Sequence, residues 1–154
     1  MISTTETIQL LKNSLPAQGR ILAIDWGTKC VGLAMSDETR LVASPLSTYL
    51  RQNVQKDLTY LSKQIEDWQI CSVIFGLPIH MSGDMSELAL QVVGFSKKLE
   101  PIIYPIPIYF YDERWTTQAV ERQMIAADLS RKRRAQVVDK LAACYLLQGI
   151  LDAL

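Results

Sequence analysis

The sequence predicts an α/β domain built on a five-stranded mixed sheet, an antiparallel meander joined to parallel strands, with helices on both faces. Three observations carry that expectation. The apolar segments RILAIDW, CVGLAMSD and LVASPLSTYL follow one another across turns too short for a crossover, so they should pair antiparallel. The later apolar segments ICSVIFGLP and PIPIYFYDER each follow a helix-length amphipathic stretch, the connection that parallel strands require. A chain of 154 residues, 49% of them hydrophobic, is long enough for one sizeable core.

Residues 1–19 read as a polar N-terminal extension with a short helical patch, Ile8, Leu11 and Leu15, ended by Pro16 and Gly19. Residues 20–154 read as a single domain. RILAIDW is the first strand, CVGLAMSD the second, and LVASPLSTYL the third after a Glu38-Thr39-Arg40 turn. Val54, Leu58, Leu61, Ile65 and Trp68 then recur at helical spacing. ICSVIFGLP is a continuous apolar run of the kind a strand buried on both faces needs. The loop IHMSGDMS leads into a second helix with the seam Leu88, Val92, Phe95 and Leu99, closed by Pro101. The fifth strand carries Pro105 and Pro107 at its start, where missing donors matter least. From Thr116 the chain reads as helical with a break near Ser130. The order β-β-β-α-β-α-β-α puts the first strand at the centre of the sheet, the arrangement of the RNase H-like fold.

Several function classes fall away. No apolar run approaches the roughly 20 residues that span a bilayer, and the N-terminus lacks the basic and apolar regions of a signal peptide. A cytoplasmic protein without membrane contact is expected. Cys30, Cys71 and Cys144 are far apart and set in apolar runs, so buried reduced thiols are expected, not a zinc site. Sixteen Lys+Arg balance 16 Asp+Glu, which argues against coating nucleic acid by bulk charge. The charge is segregated, however. Arg114, Arg122, Arg131, Lys132, Arg133, Arg134 and Lys140 face only Glu121, Asp128 and Asp139 in the same stretch.

In ILAIDWGTKCVGLAMSD, Asp25 stands at the end of an apolar strand, ahead of a Gly-Thr turn. Such a hairpin can cradle a nucleotide phosphate or present a metal-binding carboxylate. The ATPases that use the first device close two such domains on the nucleotide, and this length supplies one; no GxxxxGK[ST] occurs either. A nuclease working through hard divalent ions needs carboxylates from several elements. Three acids suit that task. Asp25 ends the central strand, Glu113 ends the fifth, and Asp139 shares a helix face with Ala142, Ala143 and Leu146. Each also has a plain structural reading: a turn aspartate before Gly27, a surface pair of Glu113 with Arg114, an exposed helix acid beside Lys140. Asp112 suits a turn or cap, and Asp37 a structural place at the end of the second strand.

The segments DWGTKCVGLAMSD, SPL, GLPIHMSGD, DERWTT and VDKLAACYLLQ resemble, in that order, the motifs of the YqgF/RuvX-type Holliday junction resolvase family, also described as the pre-16S rRNA nuclease family. The resemblance covers about residues 20–152. It implies an RNase H-like fold, a nuclease dependent on Mg²⁺ or Mn²⁺, and 5′-end maturation of small-subunit rRNA in the cytoplasm. It also implies that Asp25, Glu113 and Asp139 hold the metal and are catalytic. Two motifs depart from the family pattern. Trp26 and Cys30 replace the Tyr and Arg of DYGTKRIG, and His80 and Ser82 replace the Asn and Asp of GLPLNMDG.

The run SRKRRAQ lies one helical turn or more before Asp139, where Arg131, Lys132, Arg133 and Arg134 could grip a nucleic-acid backbone without sequence readout, or form a solvated helix start. Lys29 in the hairpin turn and Arg114 after Glu113 are further phosphate-contact candidates. Thr116 and Thr117 suit helix capping, and His80 is a minor candidate for a general base. Three functions are therefore in play: a nuclease acting on pre-16S rRNA, a resolvase acting on branched DNA, and a non-catalytic ribosome-assembly or nucleic-acid-binding factor. A resolvase would call for a homodimer, and the others accept a monomer.

Overall fold

The computed structural model describes residues 4–80, 82–113 and 131–154, with the backbone alone for residue 4 and for 131–140. Its elements are α1 (Thr4–Ser14), β1 (Arg20–Trp26), β2 (Cys30–Ser36), β3 (Ala43–Leu50), α2 (Val54–Asp67), β4 (Ile70–Leu77), α3 (Glu87–Ile103), β5 (Ile108–Asp112) and a last helix, α4 (Arg131–Ala153). The five strands form one sheet in the order β3-β2-β1-β4-β5. β1 pairs antiparallel with β2 and parallel with β4, β2 pairs antiparallel with β3, and β4 pairs parallel with β5. The expected mixed sheet, with the first strand central, is the one found.

Each face of the sheet has its own core. Leu22, Ile24 and Trp26 of β1 join Val73, Phe75 and Leu77 of β4 under α2 and α3. Ile21, Ala23 and Ile74 join Ile8 and Leu11 of α1 and Ala143, Leu146, Leu147 and Ile150 of α4 on the other face. Burial on both faces is why β1 and β4 read as continuous apolar runs instead of alternating ones. Each fully buried Leu, Ile or Phe contributes about 1.5–3 kcal/mol, so the sheet centre is a rigid base for a side chain placed at a strand end.

The structure corrects the expected reading in five places, one being the fifth strand, which begins at Ile108 after Pro105 and Pro107 instead of carrying them. The third strand begins at Ala43, because the Asp37 carboxylate accepts the amides of Leu41 and Val42, both at 2.9 Å, and holds them in a turn. It also accepts Thr39 N at 3.1 Å and the Thr39 hydroxyl, and these hydrogen bonds hold Asp37 well below the usual carboxylate range. The seam of α2 is shorter than its spacing suggests: Val54 and Trp68 are exposed, since Asn53 caps the helix at its start and Trp68 caps its end under the Arg20 guanidinium. Pro101 does not close α3 but lies within its last turn. Cys30, Cys71 and Cys144 are free thiols, half-buried instead of fully buried.

The N-terminal segment is tied down. Leu11 is fully buried, Thr7 Oγ1 donates to the Phe110 carbonyl at 2.9 Å, and Ser14 meets the Tyr109 hydroxyl at 2.6 Å.

Candidate active site

The sheet register brings two carboxylates together. Asp25 stands opposite Gly32 of β2. On its other side Ile24 pairs with Phe75, so one step further along the strands Asp25 comes level with Gly76 of β4. Gly76 in turn pairs with Tyr111 of β5. The chain leaves β5 through Glu113, whose amide donates to the Leu77 carbonyl at 3.3 Å and keeps the ladder closed one residue beyond the strand. By strand alternation Asp25, Gly76 and Glu113 share the face covered by α4.

Gly76 makes the meeting possible. A β-carbon there would lie 2.8 Å from Glu113 Cδ and 2.8 Å from Leu146 Cδ1 of α4, and nearer still to Glu113 Oε2. The bare backbone of β4 thus leaves the slot in which the Glu113 carboxyl lies. Sequence analysis missed this residue. Its signal was a single glycine inside an otherwise apolar buried strand, the mark of a close approach.

Glu113 is only 8% exposed. Burial comes first among the causes that push its carboxyl well above the ordinary carboxylate range, then the charge of Asp25, a hydrogen bond to Asp25, and the charge of Asp112. A proton on Glu113 would be shared with the Asp25 carboxylate. Two neighbouring carboxyl groups offer only hard oxygen donors. A divalent cation can replace that proton and neutralise the repulsion, so these residues fit Mg²⁺ or Mn²⁺.

The other sequence candidates divide. Asp112, the last residue of β5, points by alternation away from Glu113 and lines an apolar groove with Leu77, Ile79 and Phe110; it adds charge to the site, not an oxygen. Gly27 closes the β1–β2 turn, its amide donating to the Cys30 carbonyl at 2.8 Å, where a β-carbon would lie 2.6 Å from that oxygen. Lys29 is exposed in the same turn. His80 is exposed in the loop after β4, where its backbone bonds Gly83 and Asp84, and no described contact joins it to the Asp25–Glu113 pair. Asp139, Arg131, Lys132, Arg133 and Arg134 lie on α4, and their side chains are outside the described residues. Arg114, Thr116 and Thr117 are outside the described residues altogether. Among the described residues, no group of three or more possible metal ligands is assembled.

The family model described as "RuvX: Holliday junction resolvase" matches residues 19–153. The chain belongs to the RuvX family. A relative from Zymomonas mobilis is 39% identical over 153 residues, 99% of this chain and 93% of its own length. A relative from Rhodobacter capsulatus is 45% identical over 141 residues, 92% of this chain and 88% of its own. Both bear the name "Putative pre-16S rRNA nuclease". The family is thus one of nucleases, enzymes of the hydrolase class. Among solved structures, the chain is similar in fold to Thermus thermophilus RuvC in complex with a Holliday junction, with a TM-score of 0.54 at 18% identity over 87% of this chain and 94% of that one. The fowlpox virus resolvase with its junction DNA gives a TM-score of 0.51 at 11% identity over 86% of this chain and 97% of that one. These likenesses establish the RNase H-like fold. Among the described residues no helix is long and apolar enough to cross a membrane.

Proposed function

We propose that the protein is a divalent-metal-dependent nuclease that matures the 5′ end of pre-16S rRNA in the cytoplasm, with Asp25, Glu113 and Asp139 as its metal-holding and catalytic residues. The buried carboxyl pair Asp25–Glu113 carries this reading. A fold has no structural use for a buried Glu113 carboxyl set against a second, half-buried acid, Asp25, on an apolar sheet face, and such an arrangement is costly. The names of the relatives favour the RNA precursor as substrate. Mg²⁺ or Mn²⁺, when bound, supplies the positive charge that stabilises the phosphorane and favours ionisation of the attacking water.

The chain's own residues do the rest. Asp25 and Glu113 enter from strand ends on either side of β4, so the sheet fixes their separation and little is left to side-chain freedom. Asp139 precedes Ala142 and Ala143 by one helical turn and Leu146, the residue that packs at Gly76, by two, which supports it as the third carboxylate of the proposed site. Ala142 and Ala143 are fully buried, and their small side chains let the helix backbone lie close to the sheet. Lys29, Arg114 and the Arg131, Lys132, Arg133, Arg134 run would hold the phosphate backbone of the substrate. Thr116 and Thr117 are kept as supporting candidates, suited by residue type to capping.

A second reading rests on the family's description, which names Holliday junction resolution. One experiment separates the two. An rRNA precursor with its 5′ extension and a four-way DNA junction are incubated with the intact protein, with Mg²⁺ and separately with Mn²⁺, Asp25→Asn serving as control. The expected result is cleavage of the RNA alone, reduced more than about 100-fold in Asp25→Asn, because loss of a direct ligand exceeds the 10–100-fold typical of groups that only orient ligands. Cleavage of the junction alone, by a dimer, establishes the resolvase. RNA binding without cleavage, unchanged in Asp25→Asn and in chelator, leaves an assembly factor.

A further inference from the structure

The β1–β2 turn carries Lys29 three residues beyond Trp26, the neighbour of Asp25, and one residue from outside the turn takes all three of its carbonyls. Arg51 Nη1 donates to the Gly27 carbonyl at 3.0 Å and to the Thr28 carbonyl at 3.1 Å. The Arg51 amide donates to the Lys29 carbonyl at 2.8 Å. The guanidinium lies over the buried Trp26 ring, 4.4 Å from its centroid, and its Nε is buried. A planar fork stacked on an aromatic face is a rigid device, which an ammonium does not reproduce. Trp26 is in turn held by Phe95, with ring centroids 4.3 Å apart. The turn is therefore clamped from α3 through Trp26 and Arg51, while the Lys29 side chain stays exposed.

We infer that Arg51 is a positioning residue: it clamps the β1–β2 turn so that Lys29 is presented at a fixed place to the nucleic-acid backbone beside Asp25. The inference rests on the nucleic-acid reading above. Arg51 cannot be the phosphate contact while its charge is folded onto Trp26 and the turn carbonyls. Its effect must pass through the turn. A free turn of Gly27, Thr28 and Lys29 would pay an ordering cost each time substrate bound, and the lysine contact would fade.

The test reads binding, not cleavage. A fluorescently labelled RNA with a single-stranded 5′ extension is titrated with the full chain in EDTA at a series of salt concentrations, and thermal melts confirm that each variant is folded. Lys29→Ala should lower the slope of log affinity against log salt by about 1, the loss of one phosphate contact. Arg51→Gln should lower it by the same amount, and the double variant should lower it by about 1 again, not 2. Arg51→Lys, which keeps the charge without the fork, should behave as Arg51→Gln. A double variant that loses about 2, or an Arg51→Lys that restores the slope, makes Arg51 itself the phosphate contact and overturns the inference. So does an Arg51→Gln that binds like the intact protein. If the intact protein fails to bind RNA, the nucleic-acid reading falls first and takes this inference with it.

Discussion

Replacing Glu113 by glutamine should stabilise the metal-free protein and abolish its cleavage. The carboxyl is held above its ordinary range by burial first and by Asp25 second. Below the ordinary value of 4.5 the folded and unfolded chains both carry the proton. As pH rises past that value the unfolded chain ionises while the folded chain retains its proton, so the wild-type protein loses stability until the folded group also titrates. Glutamine has the same shape, cannot ionise and can still donate to Asp25. Melting in EDTA should therefore show no difference near pH 4 and a gap that widens towards pH 8. The gap should reach about 2–4 °C in favour of Glu113→Gln, the shift that 1 kcal/mol makes in a domain of this length. Saturating Mn²⁺ should narrow or reverse the gap, because only the carboxylate gains from the cation. Cleavage should fall more than about 100-fold. A variant that melts lower than wild type in EDTA at pH 8 would mean that the pair is stabilising as it stands, and the case for a cation there would collapse.

The second large effect belongs to a residue with no side chain. Gly76→Ala introduces a methyl group where Glu113 and Leu146 already lie. Overpacking a core costs about 1–3 kcal/mol in general, but both neighbours here meet the new atom with the far ends of flexible side chains, so the stability cost should stay near 1 kcal/mol. The displaced group, however, is the Glu113 carboxyl. Mn²⁺ affinity, followed by the spin signal of the free ion, should weaken at least about tenfold, with cleavage falling in step. A folded Gly76→Ala protein with wild-type Mn²⁺ affinity would show that the position of Glu113 is irrelevant to the cation.

How much of this was legible in the sequence depends on the scale of the feature. Strand order followed from segment spacing, because a short turn dictates antiparallel pairing and a helix-length insertion permits parallel pairing. β1 was legible to the residue, since Arg20 and the Trp26-Gly27 step bracket its apolar run. The start of β3 was not. Leu41 and Val42 look like strand residues until one knows that Asp37 folds back on their amides. Asp25 and Glu113 were legible as charges at strand ends, but their contact depends on register, which places both beside Gly76 through two different pairings. Arg51 was illegible for a related reason. An arginine after a strand reads as solvent-exposed, and nothing local reveals that it spans three carbonyls more than 20 positions upstream.

The anchoring of α1 has one more consequence. The family match begins at residue 19, so α1 lies outside it, yet Thr7 and Ser14 are bonded to Phe110 and Tyr109 on the strand that delivers Glu113. Within the described residues that strand has a neighbour on one side only, β4. The first turns of the chain therefore act as an external splint on a sheet margin. In a protein trimmed to begin at Arg20, the amides of Ile108–Asp112 should exchange with deuterium markedly faster, while those of Arg20–Trp26 keep their protection. Equal protection of both strands in the trimmed and full chains would show that the splint is idle. Faster exchange confined to the margin would mean that a segment outside the residues 19–153 matched by the family model sets how firmly the Glu113 carboxyl is held.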